Sequence, residues 1–225
     1  MPPWKEIDTV MFDMDGTLLD LHFDSYFWQT LLPRTYAKQN SLEHDEAMHI
    51  VTTTSEQVYG TLDWYCLDYW RDTLGIDITS LKQTITNKIQ VRPNVEALLS
   101  ELNSLGKRVL LVTNAHPHSL DLKMQHTSIA EFFHQRISSH QLDLAKENEG
   151  FWGRLQILEA FDPERTLLFD DSLPVLRQAR REGIGHLFAI HQPDSERPGL
   201  EPAEFAQVHD FGDIMPSRHR DPEAS

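Results

Sequence analysis

The chain has 225 residues, 40% hydrophobic and 24% charged, enough to bury the core of a globular domain and unlike a disordered chain. Thirty-five acidic residues against 20 basic ones give a net charge of −15, the opposite of the basic surface that a nucleic-acid duplex selects. One cysteine, Cys66, excludes an intrachain disulfide and a CxxC zinc site.

In chain order, the first apolar run is Ile7 to Phe12, and it ends at Asp13. Its length is that of a buried parallel strand. The stretch 21–90 has no strand-like run and reads as several helices. Thr61 to Leu74 places Leu62, Tyr65, Cys66, Tyr69 and Trp70 at helical spacing, so Cys66 reads as a packing residue in a helical stripe. Ten of the 21 aromatic residues lie in 21–90, including all five tyrosines, which makes this stretch the candidate for recognising a ring. A helix opens near Pro93 and closes at Gly106. Further strands are predicted at Arg108 to Val112, ending at Thr113; Arg136 to Ser138; Thr166 to Phe169, ending at Asp170; and His186 to Ile190. A helix opens at Ser172 and stops at Gly183. This alternation predicts an α/β domain with a parallel sheet, whose ligands bind beyond the carboxyl ends of the strands. Asp13, Thr113 and Asp170 would share that edge. Phe205, Val208, Phe211 and Ile214 are expected to pack as a last turn or short helix, followed by a mobile tail over 216–225.

Several side chains fit phosphate chemistry. Asp13 and Asp15 stand at i and i+2 after a strand, where one carboxylate can attack and the other can move a proton, and Gly16 permits a sharp turn. An acidic turn would look similar. Thr113 and Asn114 can donate to phosphate oxygens, or simply cap a helix. Asp170 and Asp171 are hard oxygen ligands suited to magnesium, or an N-cap for the helix after Ser172. Lys146 alone reads as a solvated lysine. His116 and His118 flank Pro117 and read first as loop residues, then as substrate contacts, because no further ligands of matching type lie near them for a metal site. There is no GxSxG, P-loop or GxGxxG motif.

Taken together, the run Asp13-Met14-Asp15-Gly16-Thr17-Leu18-Leu19-Asp20, then Val112-Thr113-Asn114, Lys146, and Leu168-Phe169-Asp170-Asp171-Ser172 resemble the four motifs of the haloacid dehalogenase superfamily, in the family's order. The stretches Phe23 to Trp28, Leu62 to Trp70 and Thr113 to His118 are similar to its bacterial GMP/IMP nucleotidase branch. The resemblance implies a Rossmann-like parallel-sheet core, 1–20 and 91–215, with a helical cap over 21–90 inserted after the first strand. It implies Asp13 as nucleophile, Asp15 as acid and base, and Thr113, Asn114 and Lys146 on the phosphate. Magnesium would be held by Asp13, Asp15 through its backbone carbonyl, Asp170 and Asp171. Asp15 favours phosphoryl transfer over carbon–halogen cleavage, since the dehalogenases lack an aspartate there. Trp28, Tyr65, Tyr69 and His116 are the candidate substrate contacts.

The expected reaction is hydrolysis of purine nucleoside monophosphates. A sugar-phosphate phosphatase or phosphomutase is the alternative, and a non-catalytic binding protein the rival. The start of the chain has no apolar stretch of signal-peptide type, and no run is long enough to cross a bilayer. A small phosphate ester as partner, no nucleic acid or membrane, and a cytoplasmic location are the matching expectations, with the oligomeric state left open and a monomer compatible.

Overall fold

The computed structural model describes residues 1–200 and 204–216. Beyond Pro216, the predicted tail lies outside the described residues. The first strand, β1 (Thr9–Phe12), is wholly buried. Six helices and a π-helical turn at Phe27–Leu31 follow: α1 (His22–Tyr26), α2 (Leu32–Asn40), α3 (His44–Val58), α4 (Leu62–Tyr65), α5 (Leu67–Leu74) and α6 (Ile78–Gln83). The remainder alternates: α7 (Val95–Ser104), β2 (Arg108–Thr113), α8 (Pro117–Gln125), β3 (Gln135–Ser138), α9 (Phe151–Leu158), β4 (Thr166–Asp170), α10 (Leu173–Arg181), β5 (His186–Ile190) and β6 (Ala206–Val208).

The six strands form one parallel sheet in the order β3-β2-β1-β4-β5-β6. Because successive side chains in a strand point to opposite faces, each central strand feeds two cores. Val10, Phe12, Val109, Leu111, Leu167 and Phe169 pack on one face against Leu98, Leu99 and Leu102 of α7 and Leu120 and Met124 of α8. Met11, Leu110, Val112 and Leu168 face Phe151, Trp152 and Leu155 of α9 and Val175, Leu176 and Ala179 of α10. Burial on both faces is why these strands read as unbroken apolar runs. The helices of 22–83 build a third apolar cluster around Phe23, Phe27, Leu67 and Trp70, to which Leu122 of α8 contributes from the sheet side. Among the described residues, no helix is long and apolar enough to cross a membrane.

Two expectations need correction. The predicted helix from Thr61 to Leu74 breaks at Cys66, whose backbone is extended (φ −83°, ψ 111°). At the break, the Trp70 indole donates to the carbonyl of Trp64 at 2.9 Å, taking an acceptor that a continuous helix would use for its own backbone. Cys66 is therefore the partly exposed N-cap of α5, not part of a continuous stripe. At the far end, Phe205, Val208, Phe211 and Ile214 are all buried, and Phe211–Ile214 forms the expected last turn as a 3-10 turn, but Val208 ends a sixth strand that was not expected, with Phe205 just before it.

The topology positions the site. The chain builds outward from β1 to β2 and β3, then crosses back to place β4 on the other side of β1. Ligands of doubly wound sheets bind at such a reversal. Phe12 lies in register with both Leu111 and Phe169, so the residues that follow all three strands emerge together.

Candidate active site

The Asp13 amide donates to the carbonyl of Phe169 at 2.9 Å, which extends the ladder one step and aims its side chain beyond the sheet. Immediately after, the chain doubles back: Leu18 and Leu19 amides donate to the Met14 carbonyl, and Gly16 donates to Leu19 at 2.8 Å. Gly16 has φ +82°, and a Cβ there would stand 2.5 Å from Oδ2 of Asp171. Both the turn and the approach of the acidic pair thus require glycine.

Lys146 is the hub. Its ammonium is buried and donates to Oδ1 of Asp13 at 2.5 Å, Oδ2 of Asp170 at 2.7 Å and the Val112 carbonyl at 3.1 Å, using all three protons. Burial works against its charge, but the Asp13 and Asp170 carboxylates overcome this and raise its pKa. Asn114 sets the loop that carries it: Oδ1 accepts the Lys146 amide at 2.9 Å, and Nδ2 donates to Glu147 at 2.8 Å. The buried Thr113 hydroxyl accepts the Ala115 amide at 3.1 Å. Asp170 serves two roles at once, since Oδ1 caps the Ser172 amide while Oδ2 holds Lys146. Asp171 has no hydrogen-bond or ion-pair partner among the described residues.

Carboxylate oxygens of Asp13, Asp170 and Asp171 lie within 4.8 Å of one another. Three carboxylates face one ammonium, an excess of two negative charges. Burial, with the neighbouring carboxylates opposing Lys146, pushes Asp13 up to about 6 and Asp171 well above the usual range. A divalent cation with oxygen-ligand preference fits that excess and that donor set.

A second buried lysine, which the sequence reading did not single out, holds Asp15. Lys123 of α8 donates to Oδ1 of Asp15 and, at 2.6 Å, to Oδ2 of Asp24 in α1. Lys82 of α6 donates to the other oxygen of Asp24 at 2.6 Å, with its ammonium 4.6 Å from the Phe27 ring centre. Burial raises Asp15 to about 6, against the pull of Lys123. For Asp24, burial is outweighed by Lys123 and Lys82, which hold it at about 2. Lys123 shares a helix face with Leu120 and Met124. A lysine in that apolar row is the one sequence signal that could have found it.

Sheet edge and helices enclose a cavity of about 810 Å³. Asp13, Asp15, Thr113, Asn114, Lys146, Asp170 and Asp171 line one side, and Trp28, Tyr59, Trp64 and Tyr65 the other. His116 also lines it, buried at the N-cap of α8. The Tyr65 hydroxyl donates to Glu147 at 2.8 Å, tying the helical segment to the loop of Lys146. Tyr69 is not among the lining residues, and its ring packs edge-on against Trp70 in the helical core. Trp64, passed over in the sequence reading, lines the cavity instead.

A family model described as haloacid dehalogenase-like hydrolase matches residues 7–181. The chain is 36% identical over 214 residues to the GMP/IMP nucleotidase YrfG of Escherichia coli (strain K12), covering 95% of this chain and 96% of that one. Among solved structures, a haloacid dehalogenase phosphatase from Thermococcus onnurineus is similar in fold at TM-score 0.75 and 19% identity, over 92% of this chain and 96% of that one. A putative hydrolase of the same superfamily, YfnB from Bacillus subtilis, described as bound to magnesium, is similar at TM-score 0.64 and 18% identity, over 92% and 96% of the two chains.

Two outcomes follow from the electrostatics. Lys123→Met leaves Asp15 and Asp24 buried without their shared cation and should destabilise the fold by roughly 3–5 kcal/mol, as read by urea unfolding. Adding Asp24→Asn should recover part of that loss. The second concerns pH in the presence of chelator. Asp13 is raised from 3.8 to about 6 in the folded chain, so its protonated form favours folding. That contribution is full below pH 4 and is lost as pH rises through 6. Between pH 7 and 5, wild type should gain on the order of 1 kcal/mol relative to Asp13→Asn. The comparison is needed because burial holds His140 down at about 4, which acts in the opposite sense in both proteins.

Proposed function

The chain belongs to the haloacid dehalogenase-like hydrolases and is a phosphatase of that family; from that premise we propose that it hydrolyses purine nucleoside 5′-monophosphates, GMP and IMP, with magnesium at Asp13, Asp170 and Asp171. The observation that carries this reading is the pairing, across one cavity, of the Lys146–carboxylate cluster with the rings of Trp28, Trp64 and Tyr65. The identity to a nucleotidase across nearly the whole chain supports the same substrate. We further propose 21–90 as the cap and the rest of 1–215 as the catalytic core.

The chemistry runs through Asp13 and Asp15. Lys146 holds one oxygen of Asp13 and leaves the other for attack on phosphorus. As the Asp13–phosphorus bond forms, the ester bond breaks, and Asp15 gives its proton to the departing nucleoside oxygen. A carboxyl raised to about 6 is available as an acid near neutral pH. Asp15, now ionised, takes a proton from water, which attacks the aspartyl-phosphate and releases phosphate and Asp13. Lys123 keeps Asp15 in place through both steps. Thr113 and Asn114 border the phosphate, with Asn114 also fixing the Lys146 loop. Asp13, the Asp15 carbonyl, Asp170 and Asp171 would hold magnesium, which supplies positive charge that favours ionised Asp13 and shields the phosphoryl oxygens.

A panel of nucleotides and sugar phosphates, assayed with magnesium and with chelator, tests the reading. GMP and IMP should lead, chelator should abolish turnover, and Asp13→Asn should retain less than about a thousandth of it. A preference for ribose 5-phosphate would transfer the assignment to sugar phosphates. Trp28→Leu or Trp64→Leu should lower kcat/KM for IMP by about 1–3 kcal/mol of transition-state stabilisation and spare p-nitrophenyl phosphate, which has no purine to stack. Loss of both activities in step with the melting temperature would make these rings packing residues only.

A further inference from the structure

Beside the cavity lies a cluster of different chemistry. Cys66, at the break between α4 and α5, meets His116, the N-cap of α8, and His140, in the 3-10 turn after β3. Their sulfur and nitrogen atoms lie within 4.8 Å of one another. In the sequence His116 stands next to His118 and far from Cys66; the fold brings Cys66 and His140 to His116 and leaves His118 exposed.

Both imidazoles present a nitrogen suited to a ligand role. Nδ1 of His116 accepts the His118 amide at 3.3 Å and so carries the lone pair, while Nε2 carries the proton and lies 3.5 Å from Oδ2 of Asp68, a carboxylate–histidine pairing that orients a ligand; a metal would take Nδ1 in place of the amide. His140 has Nδ1 3.3 Å from the Ser138 hydroxyl, while Nε2 is buried with no hydrogen-bond partner. A buried polar nitrogen without a partner is costly, and a bound cation would satisfy it. The His116 and His140 rings meet edge-on at 5.0 Å, and burial holds both in the neutral form that coordinates metal. Tetrahedral zinc with one thiolate and imidazoles needs donor atoms ~3.5 Å apart, from bond lengths of ~2.3 Å to sulfur and ~2.0 Å to nitrogen. The three donor atoms, within 4.8 Å of one another, would draw together on binding.

We propose that Cys66, His116 and His140 form a zinc-class metal site, separate from the carboxylate cluster, which fastens the cap to the core. The donors are a soft thiol and borderline imidazoles, the set that selects zinc over magnesium. On binding, the Cys66 thiol releases its proton to solvent as the sulfur–metal bond forms, and the Asp68 carboxylate beside His116 adds a further negative charge. Cys66 belongs to the helical segment, whereas His116 and His140 follow strands β2 and β3. An ion bound by all three would hold cap against core and slow the cap opening on which substrate exchange depends, a consequence that rests on the phosphatase reading. The site itself does not.

The test begins with Co2+ as a spectroscopic stand-in for zinc, added to the full chain with magnesium present. A sulfur-to-cobalt charge-transfer band saturating at one equivalent, displaced by Zn2+, is expected. Cys66→Ser should abolish the band, His140→Gln should weaken cobalt binding by more than ~10-fold, and Asp171→Asn should leave it unchanged. Absence of the band in wild type, or equal cobalt affinity in Cys66→Ser, overturns the site. For the clamp, Zn2+ should slow turnover of magnesium-loaded wild type and not of Cys66→Ser, each relative to its own zinc-free rate. Equal zinc inhibition in both proteins overturns the clamp and places the inhibitory ion at the carboxylates. If the chain lacks phosphatase activity altogether, the cobalt spectrum still decides the site.

Discussion

Two buried ammonium groups organise the protein. An acidic chain concentrates five carboxylates, Asp13, Asp15, Asp24, Asp170 and Asp171, around one cavity rim, and each arrangement that brings them together must find positive charge in the interior. Lys146 neutralises Asp13 and Asp170, and Lys123 Asp15 and Asp24, with Lys82 completing the second chain. Neither lysine is a surface charge that happened to be covered. Each spends its protons on groups from different parts of the chain, so both networks assemble only in the finished fold. The cost of desolvating such charges is high, and only near-complete hydrogen bonding offsets it. The geometry of the rim is consequently stiff in just the places where a phosphoryl group would have to be positioned.

The two networks also differ in what they connect. Lys146 joins residues at strand ends within the sheet. Lys123 reaches from α8 to Asp24 in α1, and Tyr65 reaches from α4 to Glu147. These two polar links, with Leu122 in the apolar cluster, join the helices of 22–83 to the sheet around the rim. Asp15 is thereby linked to α1 through the lysine it shares with Asp24.

Much of this was legible in the sequence because it is local. Strands buried on both faces must be apolar throughout, and a carboxylate at the end of such a run, as at Asp13 or Asp170, contrasts sharply with what precedes it. The same logic fails where tertiary contacts decide. Lys146 sits in a loop with no periodicity to mark it, and only its position relative to the other motifs distinguished it. Lys82 looks like an ordinary helical lysine, and Lys123 is marked only by standing in an apolar row; neither pattern reveals that a carboxylate waits inside. The break at Cys66 goes with a hydrogen bond from an indole four residues further on. Strand β6 is three residues with Gln207 in the middle, too short for an alternation to register. Tyr69 and Trp64 are both aromatic residues in one helical stretch, and which one faces the cavity is set by that same break.

The sheet order has a consequence for how the protein is made. Strand β1 lies at the centre, yet its partners come late: Thr9 pairs with Arg108 and Thr166. During synthesis the most apolar strand leaves the ribosome first and waits for neighbours while the entire helical segment is translated between them. Non-local parallel pairing of this kind is slow, and the exposed run is prone to self-association in the interval. A nascent chain halted before β4 would carry Asp13 and Asp15 but neither Asp170 nor the strand whose carbonyl fixes the Asp13 amide. The carboxylate cluster thus comes into being at a late stage of translation, and partial products hold Asp13 without its Phe169 partner and without Asp170, which shares Lys146 with it.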